Sequence, residues 1–281
     1  MENDAALKGI KANIIGGRTE EAFAMISELI SCSDDPFTLL TCASLSATTG
    51  YAVGVAAAVS KITRAPVGEH AADIAAGLGG MGHVSEALSV IRSSGVEGVK
   101  GLEASLLLSA GRYGEALNAL DLISDPSASD RVVRTEALSA LGLHEEAVEC
   151  AKSLLSDEPT TYDACKCYCA ALLSADCVKA AKSYVDALLK SDKESADHNA
   201  LAAYVLWVQG KTAMAASYAA KSVKIDNGHR GAMETLAFCM IEKGRYKDAK
   251  IVAGAINEKS PGDPAACRII KACIARESAS R

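Results

Sequence analysis

One phrase recurs through this chain about every 32 residues: a glycine or small residue, a short turn, and an alanine five positions on. It reads Gly17-Arg-Thr-Glu-Glu-Ala22, Gly82-His-Val-Ser-Glu-Ala87, Gly111-Arg-Tyr-Gly-Glu-Ala116, Gly142-Leu-His-Glu-Glu-Ala147, Gly210-Lys-Thr-Ala-Met-Ala215 and Gly244-Arg-Tyr-Lys-Asp-Ala249, with weaker copies at Gly50 and at Ala175 to Ala180. With the turn residue as register mark, the marks are Gly17, Gly50, Gly82, Gly111, Gly142, Ala175, Gly210 and Gly244, spaced 33, 32, 29, 31, 33, 35 and 34 residues apart. A fixed period of this length means stacked supersecondary units, each packing on its neighbours, and so an all-α solenoid.

Before each mark lies one helix-length segment with apolar residues at three- and four-residue steps, and after it a second. Pro36, Pro66, Pro126, Pro159 and Pro261 each fall 15 to 19 residues beyond a mark, where the second helix should stop. Asp34-Asp35, Ser127 and Thr160-Thr161 suit the N-termini that follow, and Asn3-Asp4 are expected to cap the first helix. The segmentation is one array over 1–281, with hairpins at 4–33, 35–64, 67–94, 97–124, 128–157, 160–191, 193–226 and 228–259. A capping helix over 263–277 is expected to turn Ile269, Ile270, Cys273 and Ile274 inward, because a last hairpin would otherwise leave its apolar face in water.

Hydrophobic residues make up 49% of the chain but aromatics only 4%, so the core must be built from Ala, Leu, Val, Ile and Cys. Residues 1–140 carry 10 Lys/Arg against 17 Asp/Glu, and residues 141–281 carry 19 against 18. Neither balance gives the clustered positive face that nucleic acid requires. The ten cysteines sit mostly in amphipathic helical patterns, and Met1-Glu-Asn-Asp shows no export signal, so a reducing cytoplasm is expected. No run of apolar residues is long enough for a membrane span.

Gly-x-Tyr-x-x-Ala at 111–116 and 244–249, its degenerate copies and the closing prolines resemble the tetratricopeptide repeat, a 34-residue helix-turn-helix unit. The resemblance spans residues 4–262, although units two and six lack part of the signature. It implies a right-handed superhelical α-solenoid of about eight antiparallel hairpins, whose first helices line a concave groove for an extended or helical peptide. Aligned on the marks, the last three units would place Tyr162, Lys166 and Cys169, then Asp197, Tyr204 and Trp207, then Glu234 and Phe238 in that groove. Eight of the twelve aromatics fall between residues 161 and 246, and Tyr184, Tyr218 and Tyr246, on second helices, are expected to fill gaps between helices. Aromatics suit the groove because they offer large contact area with few rotors to freeze. The Lys/Asn/Arg set with which such arrays hold a C-terminal carboxylate is not visible at these positions.

The remaining motifs read as structure. Gly77-Leu-Gly79-Gly80-Met-Gly82 matches G-x-G-x-x-G, but it follows a helical segment rather than a strand, so it is expected to be a glycine-weakened joint and not a nucleotide loop. In Cys165-Lys-Cys167-Tyr-Cys169, only the first and last cysteines share a helix face, which argues for small core residues over zinc or redox ligands. The five histidines fall near turns and helix ends, and no nucleophile motif accompanies them. The expected function is a non-catalytic protein- or peptide-binding scaffold without cofactor or metal. The alternative is a self-assembling structural subunit, and a cysteine-based metal or redox protein ranks below both.

Overall fold

The protein is described by a computed structural model covering residues 2–96, 98–259 and 263–279. The predicted helix stop at Pro261 and the reading of Met1 lie outside the described residues. Among those residues every regular element is helical, and no helix is long and apolar enough to cross a membrane. The chain falls into two compact units, Met1–Ala110 and Gly111–Arg281. The division lies at the Gly111 turn, inside the predicted hairpin 97–124.

The first unit holds α1 (Glu2–Ile15), α2 (Thr19–Cys32), α3 (Pro36–Thr49), α4 (Ala52–Ile62), α5 (Ala71–Gly80), α6 (Val84–Ser94) and α7 (Lys100–Ser109). Turn-linked helices pack as pairs, α1 on α2, α3 on α4 and α5 on α6, while the odd-numbered helices α1, α3, α5 and α7 pack side by side. Asp35 caps α3 as expected, its carboxylate accepting the Thr38 N–H at 2.9 Å. Asn3 does not cap α1. The helix already begins at Glu2, and the Asn3 amide instead donates to Ser33 Oγ at 3.3 Å and Thr38 Oγ1 at 3.2 Å, tying α1 to the start of α3.

The G-x-G-x-x-G segment runs from the end of α5 into the turn at Gly82, and Gly77 and Gly79 sit at contacts with neighbouring helices. A Cβ on Gly77 would fall 2.5 Å from Leu40 of α3, and one on Gly79 would fall 2.3 Å from Leu106 of α7. The expected weak joint is thus a place where leucine side chains of two neighbouring helices rest on the α5 backbone, and a larger residue there would have to displace them. Nearby, Glu103 is buried but held by Arg92 and Lys100, each at 2.9 Å. Burial opposes its charge, and these two cations outweigh burial and bring its pKa below the usual carboxylate value.

The second unit holds α8 (Tyr113–Leu120), α9 (Ala128–Ala140), α10 (His144–Asp157), α11 (Tyr162–Ser174), α12 (Val178–Ser191), α13 (Ala196–Val208), α14 (Thr212–Ile225), α15 (Arg230–Glu242), α16 (Tyr246–Lys259) and α17 (Pro264–Ala279). Its odd-numbered helices α9, α11, α13, α15 and α17 form one side-by-side layer, with α10, α12, α14 and α16 behind. Ser127 and Asp130 form a reciprocal capping box at the start of α9. Thr161, by contrast, stands at the α11 N-terminus without a side-chain cap bond.

The marks share one backbone state. Seven glycines, Gly17, Gly50, Gly82, Gly111, Gly142, Gly210 and Gly244, have φ between +72° and +91°, the left-handed turn that ends a first helix. The eighth position in that state is Asp176, at φ +57°, and not Ala175. Its hydrogen bonds match those of its neighbours: Asp176 N donates to Leu173 O and Cys177 N to Leu172 O, as Gly210 N does to Trp207 O and Lys211 N to Leu206 O. The sixth mark therefore moves by one residue, and Gly142, Asp176, Gly210 and Gly244 become evenly spaced at 34.

Five positions after the marks, Ala22, Ala87, Ala116, Ala147, Ala181, Ala215 and Ala249 are each 0% exposed. Ala180, the repeat alanine on the uncorrected register, is on the surface. In α17 the apolar stripe is narrower than expected: Ile269 and Cys273 are buried, but Ile270 and Ile274 are 38% and 54% exposed.

Candidate functional site

Three of the expected groove residues line one pocket of ≈ 220 Å³ in the second unit. Tyr162 and Lys166 come from α11 and Glu234 from α15, joined there by His229, Arg230 and Arg268. The Tyr162 ring stands edge-on to His229, with centroids 4.7 Å apart, and rests on Gly231, where a Cβ would lie 2.3 Å from the tyrosine oxygen. Its hydroxyl is buried without a hydrogen-bond partner among the described residues. Burial, reinforced by the Glu234 carboxylate, raises its pKa well above the ordinary phenol value, so it stays protonated.

His229 has both ring nitrogens engaged. Nδ1 accepts the Ala232 N–H at 3.1 Å and so caps α15, which assigns the proton to Nε2; that nitrogen donates to Asp197 Oδ1 at 2.8 Å. Asp197, expected in the groove, is therefore a partner of the cap. Glu234 accepts from Arg268 Nε at 2.8 Å and Nη2 at 2.5 Å, and Arg230 donates to Asp263 at 3.0 Å, a carboxylate that also accepts the Ala265 N–H at the start of α17. These pairs join successive helices of the front layer.

Lys166 has no ion-pair partner within bonding distance among the described residues; its ammonium lies 5.3 Å from the Tyr204 ring centroid. The Tyr204 hydroxyl is pushed up to about 12, first by burial and then by the carboxylate of Glu136 on α9. Glu136 is itself raised, chiefly by the crowding around it and further by Glu234, while Lys166 and Arg268 partly offset that rise. Its side chain is nonetheless open to solvent.

Trp207 and Phe238 stack on each other with centroids 5.1 Å apart and planes 24° from parallel. Trp207 Nε1 donates to Glu242 Oε1 at 2.7 Å, and Thr212 donates to the other oxygen of the same carboxylate. This pair fastens α13 to α15 as well as lining the layer. Tyr184 packs edge-on to Tyr168, and Tyr218 and Tyr246 pack against core clusters, as do Tyr162, Tyr204 and Phe238 of the expected groove set.

Cys169 leaves the groove set. It is 0% exposed among Val185, Leu201, Ala202 and Val205, because the one-residue register shift puts Ala170 at the position six before the mark. Cys165 shares its face and accepts a hydrogen bond from the Tyr184 hydroxyl at 3.2 Å, whereas Cys167 faces the opposite cluster with Leu138 and Ala151. Burial pushes Cys167 up to about 11 and Cys169 up to about 12. Among the described residues no three His, Cys, Asp or Glu side chains gather as a metal site.

Sequence reasoning missed Glu136, His229, Arg230 and Arg268. Glu136 had a signal: it precedes Gly142 by six residues, as Tyr204 precedes Gly210 and Phe238 precedes Gly244. The other three were invisible, since each is defined by a partner about 32 to 34 residues away in sequence.

The sequence matches no protein-family model, and no curated protein matches it. Among solved structures, a tetratricopeptide repeat protein from Parabacteroides merdae is similar with TM-score 0.50 and 14% identity, over 85% of this chain and 98% of that one. A thermophilic tetratricopeptide protein from Thermus thermophilus gives TM-score 0.44 and 18% identity, over 64% of this chain and 100% of that one. YrrB, a tetratricopeptide protein with an unusual peptide-binding site, gives 0.35 and 17%, over 61% and 90%. With the 34-residue register, the all-helical architecture and the Parabacteroides likeness together, this chain is a divergent helical-repeat protein of tetratricopeptide-like fold.

Proposed function

We propose that the protein is a non-catalytic scaffold that binds a protein or peptide on the front helix layer of its second unit. The observation that carries this reading is the pairing there of half-buried aromatics with uncommitted charge: Tyr204 with Lys166 across it, Glu136 beside it, and the Trp207–Phe238 stack on the same layer. Rigid aromatics flanked by free charges suit recognition, because they bury area at low entropic cost while the charges select among partners. Among the other titratable groups of the pocket, His229 uses both ring nitrogens and Glu234 is held by Arg268, which leaves the Asp163 carboxylate outside these pairs. Ten unpaired cysteines support a reducing, cytoplasmic setting.

The test is recovery of partners from native lysate by the immobilised full chain, identified by mass spectrometry, against a Lys166→Ala/Tyr204→Ala variant whose helicity is verified by circular dichroism. At least a tenfold loss of specific partners is expected; undiminished recovery would sink the assignment of this face. Self-assembly is the second reading, favoured by exposed Ile270 and Ile274 on α17. Light scattering at rising concentration separates the two.

A further inference from the structure

The second unit has another concavity, on the edge formed by its turns and away from the layer just described. It has a volume of ≈ 770 Å³ and lies between the α9–α10 turn and the α11–α12 turn. Leu143, Val148 and Cys177 give it an apolar lining, and His144, Glu145 and Glu146 a polar one. Leu141 and Leu143 are 45% and 41% exposed here, and Val178 and Cys177 are also on the surface, so apolar side chains of two successive turns face water together. A volume within the roughly 300–1,000 Å³ typical of ligand sites is too large for a packing defect.

The charges around this groove are of one sign. Glu145 and Glu146 are exposed and have no ion-pair partner among the described residues, and no lysine or arginine lines the concavity. The Nδ1 atom of His144 is buried there without a hydrogen-bond partner. The side chain that lines the groove from its second turn is short. The residue after the mark is Cys177 here, whereas the next two repeats carry Lys211 and Arg245 at the same position, long cations bonded to Gln209 before the mark and to Asp248 at the start of α16.

We propose that this turn-edge groove is a second binding surface, and that its occupant is a partner segment presenting bulky apolar side chains next to a lysine or arginine. The apolar residues bury Leu143, Val148 and the Cys177 side chain, and the basic residue meets Glu145 and Glu146, which form no ion pair among the described residues. Hydrophobic area supplies the affinity, and the unpaired carboxylates reject acidic segments by like-charge repulsion.

The site goes beyond the front-layer reading and is tested separately from it. Backbone amide NMR of the full chain is followed during titration with acetyl-Gly-Lys-Leu-Leu-Lys-Gly-amide, with acetyl-Gly-Glu-Leu-Leu-Glu-Gly-amide and with acetyl-Gly-Lys-Ser-Ser-Lys-Gly-amide. Saturable shifts confined to residues 142–148 and 175–178 are expected with the first peptide, with binding at least tenfold weaker for the other two. Cys177→Lys fills the groove with a residue the fold already accepts at that position in the next repeat, and should abolish the shifts. Lys166→Ala/Tyr204→Ala should leave them intact. Equal binding of the acidic peptide, or shifts that survive Cys177→Lys, would overturn the proposal. So would shifts at this edge on concentrating the protein alone, which would assign the groove to a second copy, or shifts confined to the front layer, which would leave only the scaffold reading standing.

Discussion

Asp176 occupies a left-handed turn that its repeat neighbours give to glycine, and a β-carbon in that state is strained against its own backbone. Aspartate tolerates the region better than most residues, which is why the turn survives the exchange. Asp176→Gly should stabilise the second unit by about 0.5 kcal/mol, and Asp176→Val should destabilise it by roughly 1–2 kcal/mol. Urea midpoints of the three proteins check this; a neutral valine would mean that the chain does not turn there. In the sequence Ala175 stands out as the mark because it is small, whereas the physical requirement is a positive φ. That one-residue difference is what carried Cys169 into the expected groove and Ala170 out of it.

At the scale of the element, the repeat is legible because its alanines occupy a close contact between the two helices of a hairpin, a position that only the second hairpin, with Val55, gives to a larger residue. Where a second helix crosses its first, the seven alanines five residues past the marks have no exposed atoms, and a larger side chain would push the pair apart. Ala181→Leu is expected to cost about 1–3 kcal/mol, whereas Ala180→Leu, one residue away on the surface, should stay within about 0.5 kcal/mol of the parent. Thermal unfolding of the two variants distinguishes the registers, and the reverse order would restore the mark at Ala175. Gly77 and Gly79 show the opposite case. Their spacing suggested weakness, yet what decides their role is Leu40 and Leu106 arriving from α3 and α7, and no local pattern in α5 reports a neighbour in another helix.

For the whole molecule, the cysteines report how completely the core is closed. All ten are unpaired; Cys42, Cys165, Cys167, Cys169, Cys239 and Cys273 are buried, and Cys32 and Cys177 are exposed. Because only the thiolate attacks, and burial raises these thiols, Ellman's reagent at pH 8 should find two fast thiols in the native protein, six silent ones, and all ten after unfolding in urea. Fast reaction of Cys165 or Cys169 would contradict the core assigned to α11–α13. The class of fold was readable from the amino acids alone, since the period, the helix-length segments and the small buried residue after each turn are local and repeat. The site was readable only in part. Tyr162, Lys166, Tyr204, Trp207, Glu234 and Phe238 could be named from their offsets, but not that Tyr162 leans on Gly231, that Trp207 is bound to Glu242, or that His229 is both cap and partner of Asp197. Apart from the His229 cap on Ala232, those contacts join residues 32 or more positions apart in sequence. Periodicity carries what each helix pair must satisfy within itself, and the packing of one pair on the next determines which side chains remain free to meet a partner.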